Sequence, residues 1–196
     1  MSLDVWTAFA LASVLVLVIP GPTILLVTAQ SLAHGLRGAW ATVAGVALGD
    51  LVAITLALFG LGSLLAASAE LFTVLKWAGA VYLLWMGGKM WRSHSPAQPL
   101  PPAPRRMFRD AFAVTVANPK SIGFFVAFLP QFIDAERAWP PQAAIMAATF
   151  VALAAINAFA YAVLAARLQG RLPVRRMRQA GGAVLIAAGL YTLVRK

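Results

Sequence analysis

VLVLVIPGPTILLVTAQ, residues 14–30, decides the fold. An apolar run fit for a helix is cut by Pro20-Gly21-Pro22 and then resumes. Proline inside a helix removes a backbone donor and clashes with the preceding turn, at about 3 kcal/mol or more. In hydrocarbon no water takes up the freed backbone groups, so a break is tolerated only where protein buries it or where it lines a wet cavity. The first half-helix then ends in free carbonyls and the second begins with free N–H groups, a partial positive charge suited to an anion. The doubled breaker predicts a small-molecule site near the middle of a membrane. The plain alternative is a structural kink with no ligand.

The rest of the chain fits that setting. Of its 196 residues 61% are hydrophobic and 11% charged, and the mean hydropathy is +0.82. A soluble domain is about half apolar and about a quarter charged, so the composition is that of a polytopic membrane protein. The net charge of +10 sits in short loops between apolar runs, the signature of topology and anionic headgroups. A nucleic-acid reader keeps its charge on a soluble face, so nucleic acid is not expected as a partner. With no cysteine, disulfides, thiol chemistry and thiolate metal sites are excluded. The N-terminus MSLDVWTAF lacks the basic start of a cleaved signal peptide.

Six apolar runs are read, at 5–32, 39–66, 71–91, 111–133, 143–166 and 176–194. About 20 residues cross the hydrocarbon core, so the first two runs tilt, break or protrude. The expected fold is all-α: one transmembrane domain over 1–196, a bundle of six helices. The segment 93–108, rich in proline, is expected to be an extended linker between a first half at about 1–92 and a second at about 109–196. The halves echo each other. AGAVYLLWMG at 78–87 and AGGAVLIAAG at 180–189 carry glycines at the same spacing, and Asn118-Pro119 breaks the fourth run as Pro20-Gly21-Pro22 breaks the first. Three helices per half is an odd number, so the repeats are expected to be inverted across the membrane. Arg37, Arg92, Arg105, Arg106, Arg109 and Arg167 fall on one side, which the positive-inside rule makes cytoplasmic. The plasma, or cell inner, membrane is the expected location.

Two charges lie inside the spans. Asp50 is about half a bilayer deep in the second run, and Lys120 follows the break in the fourth. A charge at that depth costs about 2.5–3.5 kcal/mol on the most lenient scale, so each is expected to face the interior. They serve a site, or they form a structural ion pair, Asp50 with Lys120 or with Lys76. Asn157 and Gln131 are weaker candidates, polar side chains that hydrogen-bond between helices. Reactive constellations are missing: His34 and His94 read as loop residues, no serine or threonine has a base partner, and no phosphate loop or metal cluster is present. No enzymatic activity, cofactor or metal is expected. Trp6, Trp40, Trp77, Trp91 and Trp139 fall at run ends, as an interfacial belt does.

IPGPTILLV at 19–27, GVALGD at 45–50, KWAGAVYLLWMG at 76–87, ANPK at 117–120 and FLPQF at 128–132 together make the chain resemble the lysine-exporter (LysE/RhtB) family of amino-acid effluxers. The resemblance runs over nearly the whole chain. It implies export of amino acids or their derivatives from the cytoplasm, in exchange with protons. The family's motif positions match at Pro20, Gly21, Pro22, Asp50, Asn118, Pro119, Lys120, Pro130 and Gln131. On this reading the amino acid lies between the broken first and fourth helices, with Asn157 also facing it. Lys120 and the half-helix N-termini take the carboxylate, and Asp50 takes the ammonium or the exchanging proton. The implied partners are the amino acid, protons and membrane lipids, with homo-oligomerisation left open. Export of a cation in the same architecture, or a non-transporting scaffold, are the alternatives. The first wants more carboxylates in the spans than Asp50 alone, and the second leaves Asp50 and Lys120 without a task.

Overall fold

The computed structural model describes residues 1–61, 103–134 and 136–168 throughout, and in addition the helical positions 77, 81, 84, 85, 88, 91, 92, 179, 183, 186, 187 and 190. The regular elements among the described residues are all helices. Helix α1 is Leu3–Val18, α2 is Pro22–His34, α3 is Ala39–Leu56, α4 is Pro104–Val116, α5 is Pro119–Phe128 and α6 is Trp139–Arg167. The KWAGAVYLLWMG motif, the glycine echo, Lys76 and His94 fall outside the fully described stretches.

Both expected breaks are present. The first run divides into α1 and α2 at Ile19-Pro20-Gly21, and the fourth into α4 and α5 at Ala117-Asn118. Each second half starts with proline in its first turn, where the missing N–H would have had no intrahelical partner anyway. The same preference corrects the expected linker. Helix α4 begins at Pro104, so 104–108 are helical and not extended. Proline there opens a helix, and Met107 and Ala111 bury one face of it. His34 likewise belongs to the last turn of α2 and not to a loop. Beyond Leu56 the second run continues as a π-helical turn, Ala57–Leu61, containing Gly60 at φ 103°, a value side-chain-bearing residues rarely adopt.

Helices α3 and α4 pack most closely, and glycine is the reason. A Cβ on Gly49 would stand 2.8 Å from Thr115 Cβ and 3.0 Å from the Phe112 carbonyl oxygen. Gly45 faces the Phe108 carbonyl in the same way. Small residues at such crossings let backbones approach, which is how membrane helices associate without a hydrophobic driving force between them. Helix α6, 29 residues long, crosses α1, α2 and α3 and joins two cores. One is aliphatic, with Ile24, Val43, Val46, Val114 and Ala158. The other is aromatic, with Phe9, Phe124, Phe125 and Phe150, and the Phe125 and Phe150 rings meet edge to face at 4.7 Å. The outer surface is apolar too: Leu11, Leu15, Phe59 and Ile156 are all well exposed. That is costly in water and natural against lipid.

Candidate functional site

The site forms at the α1–α2 break, between the two cores. In a continuous helix the Val16 carbonyl would accept from the N–H of residue 20 and the Val18 carbonyl from that of residue 22. Both positions are proline, so neither donor exists. Side chains from the second half of the chain replace them. Lys120 Nζ donates to Val16 O at 2.9 Å and to Ile19 O at 2.6 Å. Asn157 Nδ2 donates to Leu17 O at 3.1 Å, and the Tyr161 hydroxyl to Val18 O at 2.9 Å. Four consecutive carbonyls at the end of α1 are thus satisfied from α5 and α6.

The other side of the break is left open. Gly21 caps α2 without a side-chain hydrogen bond, so the Thr23 and Ile24 N–H groups have no intrahelical partner. Gly21 has an extended backbone, φ −115° and ψ −173°, which any residue adopts. It is glycine for space, since a Cβ would approach Lys120 Cε and Nζ to 3.3 Å. Helix α5 starts against the same region. Asn118 caps it by accepting from Lys120 N at 3.1 Å, and its Nδ2 donates to Thr23 Oγ1 at 3.1 Å. Thr115 Oγ1 reaches the same hydroxyl at 3.3 Å. This buried chain ties the two breaks together.

Asp50, from the middle of α3, completes the site. It is 3% exposed, and its Oδ1 has no hydrogen-bond partner among the described residues. No ion pair within 4 Å joins it to Lys120 among the described residues; the short ion pairs there are at the surface, such as Arg137 with Asp134 at 3.0 Å. Asp50, Asn118, Lys120, Ser121, Asn157 and Thr23 line one cleft, walled by Leu17, Ile24, Val46 and Ala154. The space enclosed among these side chains is about 20 Å³, room for about one water, so a larger solute enters only if the cleft widens. Among the described residues no cluster of three or more His, Cys, Asp or Glu could hold a metal ion. The chemistry on offer is recognition: the open N-terminus of α2 and an ammonium on one hand, a buried carboxylate on the other.

A family model described as LysE type translocator matches residues 14–196. The chain belongs to that family. This LysE-type translocator is 35% identical over 199 residues to a homoserine/homoserine lactone efflux protein of Salmonella typhi, with 96% of each chain covered. It is 32% identical over 144 residues to a leucine efflux protein of Klebsiella pneumoniae subsp. pneumoniae, covering 69% of this chain and 66% of that protein. An uncharacterized membrane protein of Vibrio cholerae is 34% identical over 204 residues, 100% of both chains. No solved structure matches significantly. The translocator is a transmembrane transport protein and not an enzyme.

Of the residues expected in the translocator's site, Gly21, Asp50, Asn118, Lys120 and Asn157 meet in the cleft. Pro20 and Pro22 shape it from behind by withholding their donors, and Pro119 opens α5. Gln131 does not join them: it lies exposed in the turn Leu129–Phe132 that follows α5. Its proline-containing turn carries it past the end of the half-helix. Thr23, Ser121 and Tyr161 were not anticipated. Thr23 and Ser121 stand two residues beyond Gly21 and Pro119, a usable signal, because first-turn residues flank the free N–H groups. Tyr161 has no local signal. One turn beyond Asn157, it gains its role only where α6 crosses α1.

Proposed function

We propose that this translocator is a secondary exporter of amino acids with uncharged side chains, or of their close derivatives, and that it exchanges them for protons. One observation carries the reading: the open N-terminus of α2 and the buried, unpartnered Asp50 oxygen share one cleft. A zwitterion presents the matching groups. Its carboxylate is received by the first-turn N–H groups of α2, within the field of the Lys120 charge, and its ammonium by Asp50. The apolar walls at Leu17, Ile24, Val46 and Ala154 favour an aliphatic or small side chain and disfavour a second charge. The likeness to a homoserine/homoserine lactone efflux protein and to a leucine efflux protein supports the same class. Asp50 is the residue assigned to the proton, because it is the titratable carboxylate of the cleft.

The matching order of elements, a broken helix and then a long one in each half (α1, α2, α3 and α4, α5, α6), supports six spans arranged as two inverted three-helix repeats in the inner membrane. The exposed Arg106 and Arg109 at the start of α4 support a cytoplasmic position for that end. Cysteines placed at Ser95 and Ala135 are expected to label from opposite sides of intact cells, and labelling of both from one side refutes the six-span arrangement. The deciding experiment is efflux of labelled leucine, homoserine, lysine and glutamate from proteoliposomes, with and without an imposed pH gradient. Leucine or homoserine should leave fastest and respond to the gradient. Export of none of them, or a preference for lysine or glutamate, overturns the reading.

A further inference from the structure

The carbonyls at the end of α1 are an unusual place for a lysine. An unwound helix C-terminus inside a membrane carries partial negative charge and exposes carbonyl oxygens, the features that coordinate a monovalent cation. Here Val16 O and Ile19 O stand 2.9 and 2.6 Å from one nitrogen, and Asp50 presents an unpartnered carboxylate oxygen to the same cleft. The nitrogen is the ammonium of Lys120. Two of its three donors are spent on carbonyls that Pro20 and the end of α1 leave without backbone partners. Gly21 keeps the approach clear, since a Cβ there would crowd the lysine Cε and Nζ.

We propose that the α1 break is a monovalent-cation site whose resident cation is the tethered ammonium of Lys120. The lysine occupies the position a free cation would take in a chain without it. Removing the side chain while keeping the break empties a site lined by carbonyls and facing a buried carboxylate, and a small free cation then fills it. The ligand class is an alkylammonium or an alkali-metal ion. This inference concerns the break itself and does not depend on which solute the cleft carries.

The test uses the full chain, purified in detergent, with thermal unfolding followed in choline chloride, methylammonium chloride, sodium chloride and potassium chloride at equal ionic strength. Choline is too bulky for the break and serves as the reference. Wild type should give the same Tm in all four salts. Lys120→Ala should lose several degrees in choline and recover most of that loss in methylammonium or in one of the alkali-metal salts, with saturation. A Lys120→Ala protein as stable as wild type in choline, or one that no cation stabilises, overturns the proposal. Should Lys120→Ala fail to fold, Pro20→Ala supplies the second route, because it returns a backbone donor to Val16. Lys120→Met should then cost less Tm in the Pro20→Ala background than alone, since one of the two carbonyls has its partner back. Equal costs in both backgrounds overturn the proposal as well. The same readouts separate this idea from the export reading. An exporter whose Lys120→Ala variant ignores cations refutes only the cation site, and a cation-responsive variant of a chain that exports no amino acid refutes only the export reading.

Discussion

Gly49→Ala perturbs the α3–α4 crossing next to Asp50. The new methyl would sit 2.8 Å from Thr115 Cβ and 3.0 Å from the Phe112 carbonyl oxygen. Carbon atoms rest at roughly 3.5–4.0 Å, so the helices must part by about 0.7 Å, and neither atom can rotate away. Overpacking of this kind costs about 1–3 kcal/mol, and alanine returns up to about 1 kcal/mol of helix propensity. The net expectation is a loss of about 1–2 kcal/mol, or roughly 2–8 °C in Tm for a chain of this size. Export should fall further than stability, because Thr115 donates to Thr23 and Thr23 accepts from Asn118. Gly123→Ala in α5 is the matched control, since nothing lies within 4 Å of a Cβ there. It should keep its Tm or gain a few degrees. The assay is thermal unfolding of both variants in detergent beside efflux from proteoliposomes. If Gly49→Ala unfolds no earlier than Gly123→Ala, the close-packing argument is wrong.

Asp50→Asn keeps the shape of a side chain that is 3% exposed and removes its charge, so the protein should fold with a Tm at or above wild type while losing export and its response to a pH gradient. Adding Lys120→Met should not bring export back, because no short ion pair links the two residues; normal transport by the double variant would remove both from function. Asn118→Ala deletes the α5 cap and the link to Thr23 and should cost about 1–2 kcal/mol, read as a lower Tm. Tyr161→Phe leaves Val18 O without its donor at a position where proline has already removed the backbone one; a loss of about 1 kcal/mol is expected, and an unchanged Tm would show that water serves this carbonyl.

Much of this protein is legible in the sequence because the relevant physics is local. A proline has no N–H wherever it stands, so breaks at Pro20-Gly21-Pro22 and Asn118-Pro119 follow from the residues alone. A charge in hydrocarbon is costly whatever its neighbours, so Asp50 and Lys120 had to face inward. The apolar composition gave the setting, and the motif order gave the family. What the tertiary structure decided is who meets whom. Lys120 reaches the carbonyl of Val16, a residue 104 positions away, and not the carboxylate of Asp50. Tyr161 finds Val18 across 143 positions, and Gln131 is carried away from the cleft. These pairings depend on where α5 and α6 come to lie against α1, just as the α3–α4 approach depends on Gly45 and Gly49 meeting the backbone of α4. No periodicity along the chain encodes such a distance, because it is a sum of side-chain volumes on two helices packed together.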